Sequence, residues 1–210
     1  VASGRLLKKQ FPEAKVVFIG PCLAKKGEAS MPDVADAVDL VLTFKELDTI
    51  FQATGIDFDA IEEEADGAAS TCGRIYARSG GVSEAVAETI RQLMPEKSEL
   101  LSVHKADGIP ECMQLLSSLP ANPNPATFIE GMACKGGCVG GPARLISAEA
   151  GCEAVNNLAR ASDSATPAQN RHLYAELLAI QQSEDWQAVK GQSVIGRLLE
   201  RDLSVPNKAK

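Results

Sequence analysis

The sequence has few aromatic residues, no long apolar run and no excess of basic residues. Aromatic side chains make up 4% of the 210 residues, so we expect a mainly aliphatic core. No apolar segment approaches the roughly 18–20 residues that a membrane-spanning helix needs, and residues 1–10 lack the apolar segment of a signal peptide. A net charge of −7 argues against nucleic-acid binding, which requires a basic surface. These absences predict a globular protein without a membrane span, and we expect it in the cytoplasm.

The start of the chain has a helical pattern. The first residue is Val1, not methionine, and residues 5–11 resemble the end of a helix that stops at Pro12. We therefore expect the 210 residues to be a segment of a longer protein.

The sequence contains six cysteines, which could in principle form three disulfides. Disulfides are uncommon in a chain of this size that lacks a secretion signal, whereas reduced thiols and metal ligands are common. We therefore expect metal ligands or reduced thiols, and no structural disulfides. The six are Cys22, Cys72, Cys112, Cys134, Cys138 and Cys152.

Segments with the composition of strands alternate with helical patterns. The strand candidates are residues 15–20, 39–43, 100–103 and 127–130, and the helical patterns between them cover residues 44–53, 79–95 and 108–119. Thr43 and Glu46 have the spacing of a capping box, which predicts a helix start at residue 44. The alternation predicts an α/β fold with mainly parallel strands and flanking helices, and the unbroken apolar segment 15–20 predicts a strand buried on both faces.

A change of composition near residue 150 divides the chain. We expect an α/β domain over residues 1–150 and a helical C-terminal extension over residues 151–210 that packs on it. Amphipathic patterns at residues 173–180 and 186–203 predict the helices of this extension.

One glycine-rich segment carries two thiols. Residues 130–142 have the sequence Glu-Gly-Met-Ala-Cys-Lys-Gly-Gly-Cys-Val-Gly-Gly-Pro, with Cys134 and Cys138 four positions apart. Glycine costs about 0.5–1 kcal/mol in a regular element, so a loop this rich in it normally lets the backbone approach something closely. On a helical turn the two sulfurs would face one way, and the amides of Gly136 and Gly137 could hydrogen-bond to sulfur. The loop is a candidate ligand of an iron–sulfur centre.

Two earlier segments could contribute to the same centre. Cys22 and Lys25 follow the first predicted strand, at the edge where open α/β sheets bind ligands. The alternative interpretation is a buried cysteine beside solvated lysines. Gly80 and Gly81 open a helix, whose free amides and dipole favour an anion or an electron-rich cofactor. Cys22 and the two loop cysteines give three thiolates, whereas a cubane cluster or a tetrahedral zinc ion needs four ligands.

Three ordered motifs resemble those of the iron-only (FeFe) hydrogenases. Residues 20–28 resemble the second signature of that family, Met-Pro-Cys-x-x-Lys-x-x-Glu, and residues 130–138 resemble the third, Glu-x-Met-Ala-Cys-x-x-Gly-Cys. Residues 79–85 resemble the segment Thr-Gly-Gly-Val-Met-Glu-Ala of the same family. The resemblance covers about residues 5–150, with a weaker echo at residues 170–178.

The resemblance implies a 4Fe-4S cluster joined through one cysteine to a two-iron unit that carries CO, cyanide and a dithiolate bridge. Cys22 and Cys134 would bind the cluster, and Cys138 would bridge it to the two-iron unit. Lys25 would hydrogen-bond a cyanide ligand, and the soft thioether of Met132 would pack beside the two irons. The implied partners are H2, a ferredoxin-like protein or N-terminal iron–sulfur domains for electrons, and maturation proteins.

The departures from the family pattern leave several functions open for this chain. The first signature, Thr-Ser-Cys-Cys-Pro, which supplies the fourth cluster ligand, is absent from the 210 residues, so we expect little bound cluster and no activity in this chain alone. Gly20 replaces methionine, and residues 139–142 differ from the usual Gly-Gly-Gly-Gln-Pro, as in a divergent, sensory branch. The chain could thus belong to a hydrogenase, an H2- or redox-sensing module, an iron–sulfur assembly relative, or an α/β domain with a zinc or empty cysteine site. Lys25, Met132 and Cys138 argue against the assembly relative, which needs no cyanide-facing lysine.

Overall fold

The structure is a computed structural model that describes residues 1–62 and 68–173. Four strands are present in these ranges: β1 (Val17–Gly20), β2 (Leu40–Thr43), β3 (Ser102–Asp107) and β4 (Thr127–Met132). The α-helices are α1 (Ala2–Gln10), α2 (Ala24–Ala29), α3 (Phe44–Thr54), α4 (Thr71–Arg74), α5 (Gly81–Leu93), α6 (Ile109–Ser118) and α7 (Ala148–Arg160). Short 3-10 helices lie at Phe58–Ala60, Ile75–Ala77, Pro95–Leu100, Cys138–Gly140 and Pro167–Gln169. No helix in the described part is long and apolar enough to cross a bilayer.

The strands form two parallel pairs. β1 runs beside β2, with Val17 opposite Leu40, and β3 runs beside β4, with Ser102 opposite Thr127. In the described residues the two pairs are separate two-stranded sheets. Helices flank both, since α2 and α3 contact the first pair and α5 and α6 contact the second. The predicted α/β class with parallel strands is thereby confirmed.

Helix α3 starts and ends for reasons visible in the sequence. The Thr43 side chain accepts a hydrogen bond from Glu46 N at 3.2 Å, and Glu46 Oε2 accepts one from Thr43 N at 2.8 Å. Gly55 ends the helix in the left-handed region, at φ 68°, where a side chain would be strained. The first feature confirms the capping box predicted from the spacing of Thr43 and Glu46.

The burial of the first strand was predicted wrongly. Val17 is 43% exposed and Ile19 is 45% exposed, although parallel strands are usually covered on both faces. The reason is local: in the described part, β1 has one paired strand, and its main helical contact is α3. The core is nevertheless aliphatic, as predicted, and contains small residues such as Val34, Val41 and Ala85.

Several helix positions differ from the sequence expectations. The short helices α2 and α4 had no apolar periodicity to reveal them, and α7 spans the predicted domain boundary at residue 150. The third strand starts at Ser102 because Leu100 belongs to a 3-10 helix. The helices predicted after residue 173 lie outside the described residues, so the extent of the C-terminal extension stays a prediction.

We predict that the capping box stabilises the first sheet and its helix. Thr43→Ala should lower the free energy of unfolding by about 1 kcal/mol, the usual effect of losing such a cap. Urea unfolding followed by circular dichroism measures this. The matched control is Thr49→Ala on the exposed side of α3, where alanine favours the helix; an equal loss in both variants would contradict the capping role.

The same cap predicts a dependence on pH. The pKa of Glu46 is lowered from 4.5 to about 2, mainly by the backbone hydrogen bond from Thr43 and then by the Lys26 side chain. A lowered pKa in the folded state contributes stability above pH 4.5, and this contribution is lost as the pH falls towards about 2. The difference in unfolding free energy between wild type and Glu46→Gln should therefore shrink over that range, and a constant difference would contradict the assignment.

Candidate metal centre

The cysteine loop begins where β4 ends. Met132 is the last residue of β4, Cys134 follows it, and Cys138 opens the 3-10 helix Cys138–Gly140. A hydrogen bond from Gly137 N to Cys134 O at 3.0 Å forms the turn between the thiols, and one from Gly141 N to Cys138 O at 2.9 Å forms the next turn. The two predicted ligands therefore sit at either end of one compact turn at the carboxyl end of the strand.

The glycines of this loop are required by close backbone packing. A Cβ atom on Gly137 would lie 2.5 Å from Ser79 N, and one on Gly141 would lie 2.6 Å from Pro21 O. Gly136 and Gly137 also adopt positive φ values of 81° and 86°, which other residues reach only with strain. The loop does approach a neighbour closely, as predicted, and that neighbour is the protein backbone at Ser79 and Pro21.

A backbone hydrogen bond joins the cysteine loop to the Cys22 segment. Pro21 follows β1, and its carbonyl accepts from Ala143 N at 3.0 Å. Cys22 is the next residue, just before α2. Through this contact, two segments more than a hundred residues apart are held side by side.

The electrostatics of Cys138 show that the predicted residues share one environment. Its side chain is open to solvent on one side, while neighbouring atoms partly desolvate the thiol. This desolvation raises the pKa of Cys138, the Cys22 thiol raises it further, Lys25 lowers it, and Cys134 adds a smaller increase. A thiolate at Cys138 is thus disfavoured by desolvation and by the two neighbouring cysteines, and favoured by the Lys25 ammonium group.

Lys25 is paired inside its own segment. It lies in α2, three residues after Cys22, and its ammonium group forms an ion pair with Glu28 one turn further on. Both residues belong to the motif at residues 20–28. Glu28 received no role from sequence reasoning, although the motif itself contains it.

The helix start at Gly80 and Gly81 already has acceptors. Gly80 N donates to the Glu130 carboxylate at 2.7 Å, and Gly81 N donates to Arg78 O at 3.1 Å. The anion predicted for this helix start is therefore a protein side chain. Cofactor contact by the two glycines stays a prediction that none of the described contacts supports.

Sequence reasoning overlooked Glu130 and Asp107. Glu130 is 4% exposed, and Asp107 Oδ2 accepts from Gly136 N at 2.7 Å. A lone acidic residue inside an apolar strand was the available signal for Glu130, because a buried carboxylate requires partners. Asp107 could not be found in this way, since it is a common residue at a strand end.

The donor set fits an iron–sulfur cluster in chemistry and is one ligand short in number. Such clusters are held by four cysteine thiolates, and the joined loops offer Cys22, Cys134 and Cys138. In the ranges that the structure describes, no three His, Cys, Asp or Glu side chains are arranged to hold a single metal ion. Cys72, Cys112 and Cys152 are also free thiols. The Cys112 Sγ lies 3.5 Å from both Ala106 O and Met132 O, to either of which its S–H can donate, and this gives it a structural contact.

The fold and the site define an α/β protein in which two loops, joined by a backbone hydrogen bond, carry cysteine thiols and a lysine. Cysteine thiolates are the ligands that hold iron–sulfur clusters. Residues 1–142 match the family model described as iron only hydrogenase large subunit, C-terminal domain. The chain therefore belongs to the family of iron-only hydrogenase large subunits. This confirms the resemblance predicted from the three motifs.

Individual relatives agree with the family. The periplasmic Fe hydrogenase large subunit of Nitratidesulfovibrio vulgaris is 30% identical, covering 60% of this chain and 37% of its own length. Iron hydrogenase 1 of Clostridium pasteurianum is 31% identical, covering 60% of this chain and 27% of its own length. The chain thus spans well under half the length of these curated relatives. The solved structure of the FeFe hydrogenase HydA(deltaEFG) has the same fold, with a TM-score of 0.59 at 18% identity, and covers 95% of this chain and 67% of that chain.

The shared environment of the thiols predicts opposite effects of two substitutions on Cys138. Lys25→Met should raise the pKa of Cys138 further and slow its alkylation at pH 8, whereas Cys22→Ala should lower the pKa and speed it. Alkylation of each cysteine in the metal-free protein can be followed by mass spectrometry of its peptide. Lys45→Met, which removes an exposed charge on α3, is the control; equal slowing by both lysine substitutions would show that Lys25 has no particular effect.

Proposed function

We propose that the chain supplies three of the thiolate ligands in the active centre of an FeFe hydrogenase that interconverts H2 with protons and electrons. The single observation that carries the proposal is the hydrogen bond from Ala143 N to Pro21 O at 3.0 Å, which holds the segment of Cys22 and Lys25 beside the loop of Cys134 and Cys138. The family match at residues 1–142 supports it. The chain spans only 37% of the length of one relative and 27% of another, so the activity is proposed for the complete protein.

Each residue has a proposed task. Cys22 and Cys134 would hold a 4Fe-4S cluster, and Cys138 would bridge it to a two-iron unit. The Lys25 ammonium, oriented by Glu28, would hydrogen-bond an anionic cyanide ligand, and Met132 would offer its polarizable sulfur to the same unit. The bound metal centre would supply the redox chemistry, while the protein orients and insulates it.

The proposed partners follow from the same chemistry. Three thiolates leave one cluster position to another part of the complete protein, and maturation proteins would install the two-iron unit. Electrons would come from a ferredoxin-like protein or from further iron–sulfur domains. One relative is named as periplasmic, and a cytoplasmic location stays a prediction from the sequence. No contact in the described residues favours the sensing module or the assembly relative.

The first experiment addresses the isolated chain. Purified without air and reconstituted with iron and sulfide, the 210-residue chain should retain little iron and show no hydrogenase activity, because one cluster ligand is missing. Iron and acid-labile sulfide assays measure this. About four irons per chain, the content of a complete cubane cluster, would contradict the proposed ligand count.

The second experiment addresses the complete protein. Produced together with maturation proteins, it should show infrared bands of CO and cyanide, and these bands should disappear in Cys138→Ala. Cys152→Ala is the matched control, because it removes a free thiol on α7 and should leave the bands in place. A wild-type protein without the bands, or bands that survive in Cys138→Ala, would overturn the proposed function or the role of Cys138 respectively.

A further inference from the structure

Glu130 is a buried acidic residue to which the proposed cluster chemistry gives no task. It lies in β4, four residues before Cys134, and is 4% exposed. Acidic side chains are almost never fully buried without partners, because an unpaired charge in a protein interior is strongly unfavourable. Its partners therefore indicate what it does.

The partners are all at the start of α5. Glu130 Oε1 accepts from Gly80 N at 2.7 Å, and Oε2 accepts from Ser83 N at 2.7 Å and from Ser83 Oγ at 2.6 Å. Hydrogen bonds to a charged acceptor are about twice as strong as neutral ones, and the positive end of the helix dipole adds to them. Three short hydrogen bonds thus fix β4 to the first turn of α5.

The same region is also fixed beyond Cys134. Ser79, just before Gly80, donates its N–H to Gly136 O at 2.9 Å, and Gly136 N donates to Asp107 Oδ2 at 2.7 Å. The start of α5 therefore contacts the chain on both sides of Cys134, through Glu130 before it and through Gly136 after it. A loop held at both ends has fewer conformations available than its glycine content suggests.

We propose that Glu130 is a positioning residue: its carboxylate anchors β4 to the start of α5 and thereby holds Cys134 in the conformation that a cluster ligand needs before any metal binds. The inference rests on the proposed function in so far as Cys134 is a ligand. The positioning itself is a property of the metal-free chain. Pre-organised ligands avoid the cost of ordering at the moment of binding.

The test measures the reactivity of Cys134 in the metal-free 210-residue chain. Glu130→Ala should raise the rate of Cys134 alkylation by about tenfold, the factor that corresponds to roughly 1.4 kcal/mol. Glu130→Gln keeps one acceptor oxygen, and Ser83→Ala removes one of the three donors, so both should give intermediate rates. Amide hydrogen exchange of β2, which Glu130 does not contact, is measured in the same samples as a reporter of global unfolding.

Each outcome has a definite meaning. A faster alkylation of Cys134 that increases from Ser83→Ala to Glu130→Ala, while amide exchange in β2 is unchanged, supports positioning. Parallel rises at both places, or no rise at Cys134 in any folded variant, overturn it. An equal rise in Glu88→Gln, which removes a half-exposed carboxylate of α5 paired with Arg91, would overturn it too. If Glu130→Ala does not fold, Glu130→Gln and Ser83→Ala decide the matter. Because no metal is involved, failure here leaves the infrared test of the proposed function unaffected.

Discussion

Close contact between backbones is the constraint on which this site depends. The loop that carries Cys134 and Cys138 approaches two other segments so closely that a single Cβ atom would collide: Gly137 against Ser79, and Gly141 against Pro21. The contact with Pro21 holds the Cys138 end of the loop beside the segment that carries Cys22, and both contacts restrict the path of the loop. The glycines are therefore needed because any side chain would clash with the neighbouring backbone. The hydrogen bonds around the loop limit the flexibility that its glycine content suggests.

Two charged side chains around the site are paired within the protein. The Glu130 carboxylate is satisfied by amide and hydroxyl donors at the start of α5, and the Lys25 ammonium is satisfied by Glu28. For the Cys138 thiol, desolvation and then the Cys22 thiol raise the pKa, and the Lys25 ammonium offsets this only in part. A cationic metal centre would relieve this imbalance, since thiolate is the form that binds metal.

Much of the fold was predictable where local interactions decide it. The helix start after Thr43 and the strand before Cys134 follow from capping and apolar pattern. The exposure of Val17 and Ile19 could not be predicted. An apolar strand shows that burial is favourable but does not show which elements cover the strand. Helices α2 and α4 were missed because an α-helix of six residues or fewer has too few turns to display a period.

For the site, the sequence by itself determined the chemistry: thiols at 22, 134 and 138, a lysine at 25, and an ordered set of motifs specific enough to identify the family. These are properties of residue type and spacing, and no folding is needed to recognise them. Only the tertiary structure decided that Glu130 fills the helix start that the sequence left to a cofactor, and that Asp107 and Ser79 hold the loop. Those contacts join residues about 30 to 60 positions apart, and such pairings arise from how the strands and helices pack, which no local pattern encodes.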